Sequence, residues 1–217
     1  ETMDLMTDIV LAGELQHLSP ERVWKETSRA LMERSPQTFF RILHECGALA
    51  ELFPELANLD GIPQSPDHHP TVDVLTHQWR CLAQAARQNL SLTGRYALLC
   101  HDLGKASTPP DRWPRHQNYE RQSETLALEM SKRLRVPREM ADAAAVMARW
   151  QNRGRRVLKL RPPRVWEVLH ALDVIRRPRR LRFFVDACEA DYRTCQADPK
   201  APFPQGEFLL GVAEVVR

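Results

Sequence analysis

The chain has 217 residues, 43% hydrophobic and 27% charged, with a formal net charge of +3. That length and balance support a buried core and exclude a disordered or crosslink-dependent chain. No stretch approaches the eighteen or more apolar residues of a bilayer crossing, and Glu1 to Asp4 lack the basic and apolar regions of a secretory leader, so a cytoplasmic setting without a membrane partner is expected.

Along the chain, apolar residues recur at spacings of three and four, as in Val23, Trp24 and Leu31 and then Phe39, Ile42 and Leu43. Period-two runs are scarce, so the fold class predicted is all-α, a helical bundle. The chain opens in mid-amphipathic pattern without Met, which leads to the expectation that a partner domain precedes it. Ser19-Pro20 supplies an N-cap with proline at the first helical position; Ser35-Pro36 does the same for the next helix, which Gly47 closes in a left-handed cap.

Gly61, Pro63, Pro66 and Pro70 then form a breaker cluster within residues 57–71. This divides a helical segment, residues 1–60, from a main domain, residues 61–217. Helices are predicted at about 71–90, 93–104, 119–134, 137–152, 162–176 and 177–196. The run from Thr108 to Pro114 contains three prolines and reads as a non-helical surface loop beside His101-Asp102. Cys46, Cys81, Cys100, Cys188 and Cys195 form no C-x-x-C pair and read as reduced core thiols.

Charge is distributed unevenly. From Arg149 to Arg182 there are twelve Lys/Arg against only Glu167 and Asp173. Such a belt attracts polyanions, phosphate backbones above all; it also reads as a solvated arginine face or a contact for an acidic subunit.

The most informative short run is Leu98-Leu99-Cys100-His101-Asp102-Leu103-Gly104-Lys105. Adjacent His and Asp near a helix end offer an imidazole nitrogen and a carboxylate oxygen from one turn, which suits a divalent metal. The same pair also reads as a histidine bonded to a carbonyl beside a capping aspartate. His77 lies on an apolar stripe continuing through Leu82, and Asp191 lies beside Val185 and Cys188. Four ligands from three helices would make a site inside a bundle.

The pattern His77, His101-Asp102, Asp191 resembles the HD superfamily of metal-dependent phosphohydrolases. A closer resemblance is to the carboxy-terminal region of bacterial CCA-adding tRNA nucleotidyltransferases of the multifunctional type. It is carried by Ala12 to Leu15, Leu18 to Glu26, Cys46 to Leu49, Leu52 to Glu55, Leu99 to Lys105, Trp113 to His116, Arg133 to Pro137 and Glu189 to Asp191. The resemblance covers essentially the full chain.

It implies that His77, His101, Asp102 and Asp191 bind a divalent ion, Mg²⁺, Mn²⁺ or Ni²⁺. The implied substrates are phosphomonoesters and cyclic-phosphate nucleotides, with Asp102, Lys105 and His116 as catalytic residues. For Lys105, a solvated lysine at a helix end is the alternative; for His116, packing against Trp113. The segment up to residue 60 resembles the neck and body that help to hold tRNA, with Arg153, Arg155, Arg156, Arg176, Arg177, Arg179 and Arg180 as further RNA contacts.

The polymerising head of the family needs a Gly-rich turn and a D-x-D pair; neither occurs here, so no nucleotide addition is expected of this chain alone. Two departures from the pattern stand at Gln117 to Glu120 and at Gln151, where related chains carry further histidine. They leave open a catalytically degenerate module that serves tRNA binding or homodimer formation.

Overall fold

The computed structural model describes residues 1–65 and 73–216, so Pro66 and Pro70 of the breaker cluster lie outside the described residues. Twelve α-helices and no named strand occur among the described residues, in agreement with the all-α expectation. No helix there is long and apolar enough to cross a membrane.

The first five helices are α1 (Thr2–Leu11), α2 (Pro20–Met32), α3 (Pro36–Glu45), α4 (Ala48–Leu52) and α5 (Pro54–Ala57). Ser19 caps α2 by accepting the Arg22 amide at 3.4 Å, with Pro20 at the first position. Ser35 sits at the N-cap of α3 but makes no side-chain cap bond: its backbone, at φ −131° and ψ 67°, is away from the usual capping conformation. Gly47 follows α3 at φ 85°, the left-handed conformation expected of it.

The main bundle contains α6 (Val74–Arg87), α7 (Leu92–Cys100), α8 (Glu120–Arg133), α9 (Arg138–Arg155), α10 (Pro162–Ala171), α11 (Arg179–Thr194) and α12 (Pro204–Val215). Three boundaries differ from those read in the sequence. Helix α7 stops at Cys100 and the chain continues through a 3-10 turn, Leu103–Ser107. Helix α10 ends at Ala171 because Asp173 takes a positive φ of 53°, which reverses the chain before Pro178. Within the proline run, Pro110–Arg112 forms a short 3-10 turn: proline at its start loses no needed donor, so the segment is not wholly irregular. Helix α12 was not anticipated.

Helix α7 runs through the centre, and all but its first two residues are buried. One apolar cluster joins Leu31, Phe40, Leu49, Phe53 and Leu59 to Leu75, Leu82, Tyr96, Leu103, Met130 and Ala148, so the core continues across residue 60. Arg95 reinforces the join: its Nη1 donates to the carbonyls of Leu31 (2.7 Å) and Glu33 (3.0 Å), and its Nε to that of Leu90 (2.9 Å). The bonds from Nη1 serve carbonyls that the end of α2 leaves without intrahelical partners. A second cluster, around Leu98, Met147, Leu169, Phe184 and Leu209, packs α7 and α9 to α12 together.

Candidate metal centre

Three elements bring the four expected ligands to one place. Asp73 caps α6 by accepting the Thr76 amide at 2.9 Å, which fixes the helix start one turn before His77. At the far end of α7, His101 and Asp102 leave the helix, while Asp191 projects from the buried face of α11. His77, His101, Asp102 and Asp191 are all at most 2% exposed. His77 Nε2 lies 3.0 Å from Asp191 Oδ1, His101 Nε2 lies 3.7 Å from the same oxygen, and His101 Nε2 lies 3.2 Å from Asp102 Oδ2.

The tautomer of His101 follows from its surroundings. Nδ1 donates to the Leu98 carbonyl at 2.6 Å, an oxygen also held by Gln78 Nε2 at 2.6 Å. The opposite nitrogen, Nε2, points to the carboxylates, is fully buried and makes no hydrogen bond of acceptable geometry. An orphaned buried nitrogen facing two carboxylates fits a cation of coordination chemistry.

Without a cation, burial opposes the charged form of His101, but the nearby carboxylates, Asp102 first and then Asp191, outweigh this and raise the imidazole pKa to about 10. Burial dominates at His77 and lowers its pKa despite Asp191. For Asp102, burial opposes ionisation, yet His101 and Lys105 hold the carboxyl well below its ordinary range. For Asp191, burial is likewise outweighed, first by Arg155.

Lys105 and Gln151 stand out in the sequence without their contacts, and Gln64 and Cys81 beside the cluster escaped the sequence reading. Lys105 Nζ donates to Asp102 Oδ2 at 2.7 Å and to Gln64 Oε1 at 2.8 Å, and lies 5.3 Å from the Tyr119 ring centroid. Gln151 Nε2 donates to Asp102 Oδ1 at 3.0 Å, so this side chain serves the carboxylate through its amide nitrogen. Cys81 lies one turn beyond His77 on α6, its Sγ 3.3 Å from His77 Nε2. The donor atoms of His77, Cys81, His101 and Asp191 all lie within 4.8 Å of one another, a group that could hold a metal ion. The only sequence signal for Cys81 was its spacing of four from His77, the period that places two side chains on one helical face.

Residues 1–59 match the family profile described as "Probable RNA and SrmB- binding site of polymerase A". Over all 217 residues the chain is 53% identical to the multifunctional CCA protein of Alcanivorax borkumensis. The namesakes from Thioalkalivibrio sulfidiphilus and Pseudomonas aeruginosa are 47% identical over 209 residues and 44% identical over 217 residues. The chain is a homologue of the multifunctional CCA proteins. It spans about half the length of these curated relatives, 53%, 51% and 53% in the same order.

Beside the centre lies a cavity of about 610 Å³ whose lining includes Gln64, Lys105, Arg115, His116, Tyr119 and Arg156. Lys105 thus faces both the cavity and Asp102. His116 is half-buried; its Nε2 lies 2.8 Å from the Pro63 carbonyl and its Nδ1 2.6 Å from Thr108 Oγ1, so it ties its loop to residues 63–65. Burial lowers its pKa.

The arginine belt does not act as one surface. Arg155 turns inward and bonds Asp191 Oδ2 at 2.9 Å. Arg153 pairs with Glu167 at 2.7 Å, Arg180 with Asp142 at 3.1 Å, and Arg177 lies 3.8 Å from Asp142. Arg156, Arg176 and Arg179 are exposed, Arg156 at the cavity.

Proposed function

We propose that this chain carries an HD-type, metal-dependent phosphohydrolase site within a tRNA-processing protein of the CCA-adding kind. The observation that supports it is the orphaned His101 Nε2, buried among Asp102, Asp191 and His77 and separated by the Lys105 side chain from a polar cavity. His77, His101 and Asp191 would hold the ion, with Asp102 as a further ligand or as the group that orients His101. When bound, a divalent ion supplies polarisation of a phosphoryl oxygen and a bound water that ionises near neutral pH.

This chain's own residues do the rest. Arg115 and Arg156 line the cavity and offer their guanidinium groups to a phosphate, which they match bidentately. Lys105 holds Asp102 ionised and places a positive charge at the cavity wall, where charge develops as a phosphoryl group reacts. The substrate class is phosphomonoesters and 2′,3′-cyclic nucleotides. Residues 1–60 and the exposed arginines at 176 and 179 would hold tRNA by its phosphates and shape, and polymerisation would belong to a head outside this chain.

The test is hydrolysis of a 2′,3′-cyclic nucleotide and of p-nitrophenyl phosphate with Mg²⁺, Mn²⁺ or Ni²⁺. Turnover that depends on the ion and disappears in Asp102→Ala is expected; turnover no higher than that variant's refutes the reading.

One observation favours a second reading. Lys105 and Arg155 already neutralise the two carboxylates, and Gln151 cannot serve as a proton donor or acceptor of imidazole type. On that reading the cluster is a structural polar core and the chain a module for tRNA binding or dimerisation. It predicts tRNA binding by a chain that retains no ion and turns over no phosphoester.

A further inference from the structure

We propose that Cys81 is itself a ligand of this centre, giving a His77, Cys81, His101 and Asp191 donor set that selects a thiophilic divalent ion such as Zn²⁺ over Mg²⁺. The inference rests on reading the cluster as a metal centre and goes beyond it by naming a thiolate ligand and the class of ion.

Four of the six distances between the donor atoms lie near those of a coordination shell, and none exceeds 4.8 Å. Zinc bonds of ~2.0–2.2 Å to nitrogen and oxygen and ~2.3 Å to sulfur, arranged tetrahedrally, separate the ligand atoms by about 3.3–3.6 Å. Here Cys81 Sγ lies 3.3 Å from His77 Nε2 and 3.8 Å from Asp191 Oδ1, while that oxygen lies 3.0 Å from His77 Nε2 and 3.7 Å from His101 Nε2. Small adjustments bring these four edges to a common length, and an inward movement of about 1 Å closes a shell whose widest edge is no more than 4.8 Å. Residues 77 and 81 share one face of α6, so a single helix delivers both nitrogen and sulfur.

Asp102 is less available. Its Oδ1 accepts from Gln151 at 3.0 Å and its Oδ2 from Lys105 at 2.7 Å, and the group formed by the mutually close donors contains Cys81 without Asp102. The carboxylate thereby orients His101 and balances its charge from outside the shell. A thiolate with two imidazoles suits zinc, cobalt and nickel better than magnesium, which demands oxygen ligands and keeps its waters. As the sulfur–metal bond forms, the thiol proton passes to solvent; no oxidant or reductant is involved.

The experiment is titration of the full chain with Co²⁺ under anaerobic, reducing conditions, followed by absorption spectroscopy and by metal analysis after desalting. A thiolate-to-cobalt charge-transfer band in the near ultraviolet is expected at one equivalent. It persists in Asp102→Asn and in Cys195→Ser, and it vanishes in Cys81→Ser with cobalt still retained. Zinc-edge X-ray absorption on the unaltered chain gives the same answer without a variant, as one sulfur neighbour at about 2.3 Å. Retained cobalt with no such band, or a band that survives in Cys81→Ser, overturns the role of Cys81 and leaves the metal centre standing. A chain that retains neither cobalt nor zinc overturns both.

Discussion

Replacing Arg155 with leucine removes the guanidinium 2.9 Å from Asp191 Oδ2 and leaves a carboxylate that is 1% exposed. At this separation two unit charges attract by about 6 kcal/mol for an effective dielectric constant of ~20. Only part of that is lost. Arg155 keeps 23% of its side-chain surface in water, and His77 and His101 still face the other oxygen of Asp191. The expected loss is about 3 kcal/mol, at the low end of the range for breaking a buried pair. Urea denaturation at neutral pH with a chelator present measures it, with Arg153→Leu as control because the Arg153–Glu167 pair stands in solvent. A divalent ion added afterwards should recover part of the deficit, since it restores positive charge beside Asp191. A loss below about 1 kcal/mol, or a midpoint shift equal to the control's, refutes the claim that Arg155 neutralises the cluster.

Three further outcomes are expected. The folded pKa of His101, about 10, exceeds its ordinary 6.5, so without metal its stabilisation is complete below pH 6.5 and is lost as pH rises toward 10. Stability in chelator should therefore fall above neutrality by up to ~1.4 kcal/mol per pH unit, and His101→Asn should flatten the slope; an unchanged slope contradicts the assignment. Gly104→Ala should cost on the order of 3 kcal/mol in thermal or chemical denaturation, because a Cβ there would stand 2.5 Å from the Ser123 amide nitrogen and force α8 away; a neutral result contradicts the close approach. Replacing both Arg176 and Arg179 with glutamine should weaken tRNA binding and reduce the log–log salt dependence by about 2, whereas Arg180→Gln, whose partner is Asp142, should change it less; a salt-independent binding constant would falsify the phosphate-driven contact.

The legible parts of this molecule were those written in local patterns. Helical spacing, the Ser19-Pro20 cap and the Gly47 reversal identified the class and the early helices because each depends on residues a few positions apart. The convergence of His77, His101 and Asp191 was legible from family pattern. What lies around them was not, since it depends on contacts across the bundle. Gln151 is 49 positions from Asp102, and nothing local shows that its amide nitrogen, and not its carbonyl, meets the carboxylate. The arginine belt misled for the same reason. A count of charges along the chain is blind to direction, so Arg155, which points into the core, looked the same as Arg156, which points out. The end of α10 at Ala171 was hidden as well, because it turns on one aspartate adopting a left-handed backbone.

Arg95 has a practical consequence for anyone dissecting the chain. A truncation that begins near residue 60 would strip away the Leu31 and Glu33 carbonyls, leaving an arginine side chain, 4% exposed in the intact protein, with two fewer acceptors and a bared apolar wall beneath it. The helix so unmoored is α7, whose end at Cys100 is followed directly by His101. Excising the amino-terminal segment would thus loosen the His101 imidazole of the candidate centre, and the two parts are better studied by point substitution than by scissors.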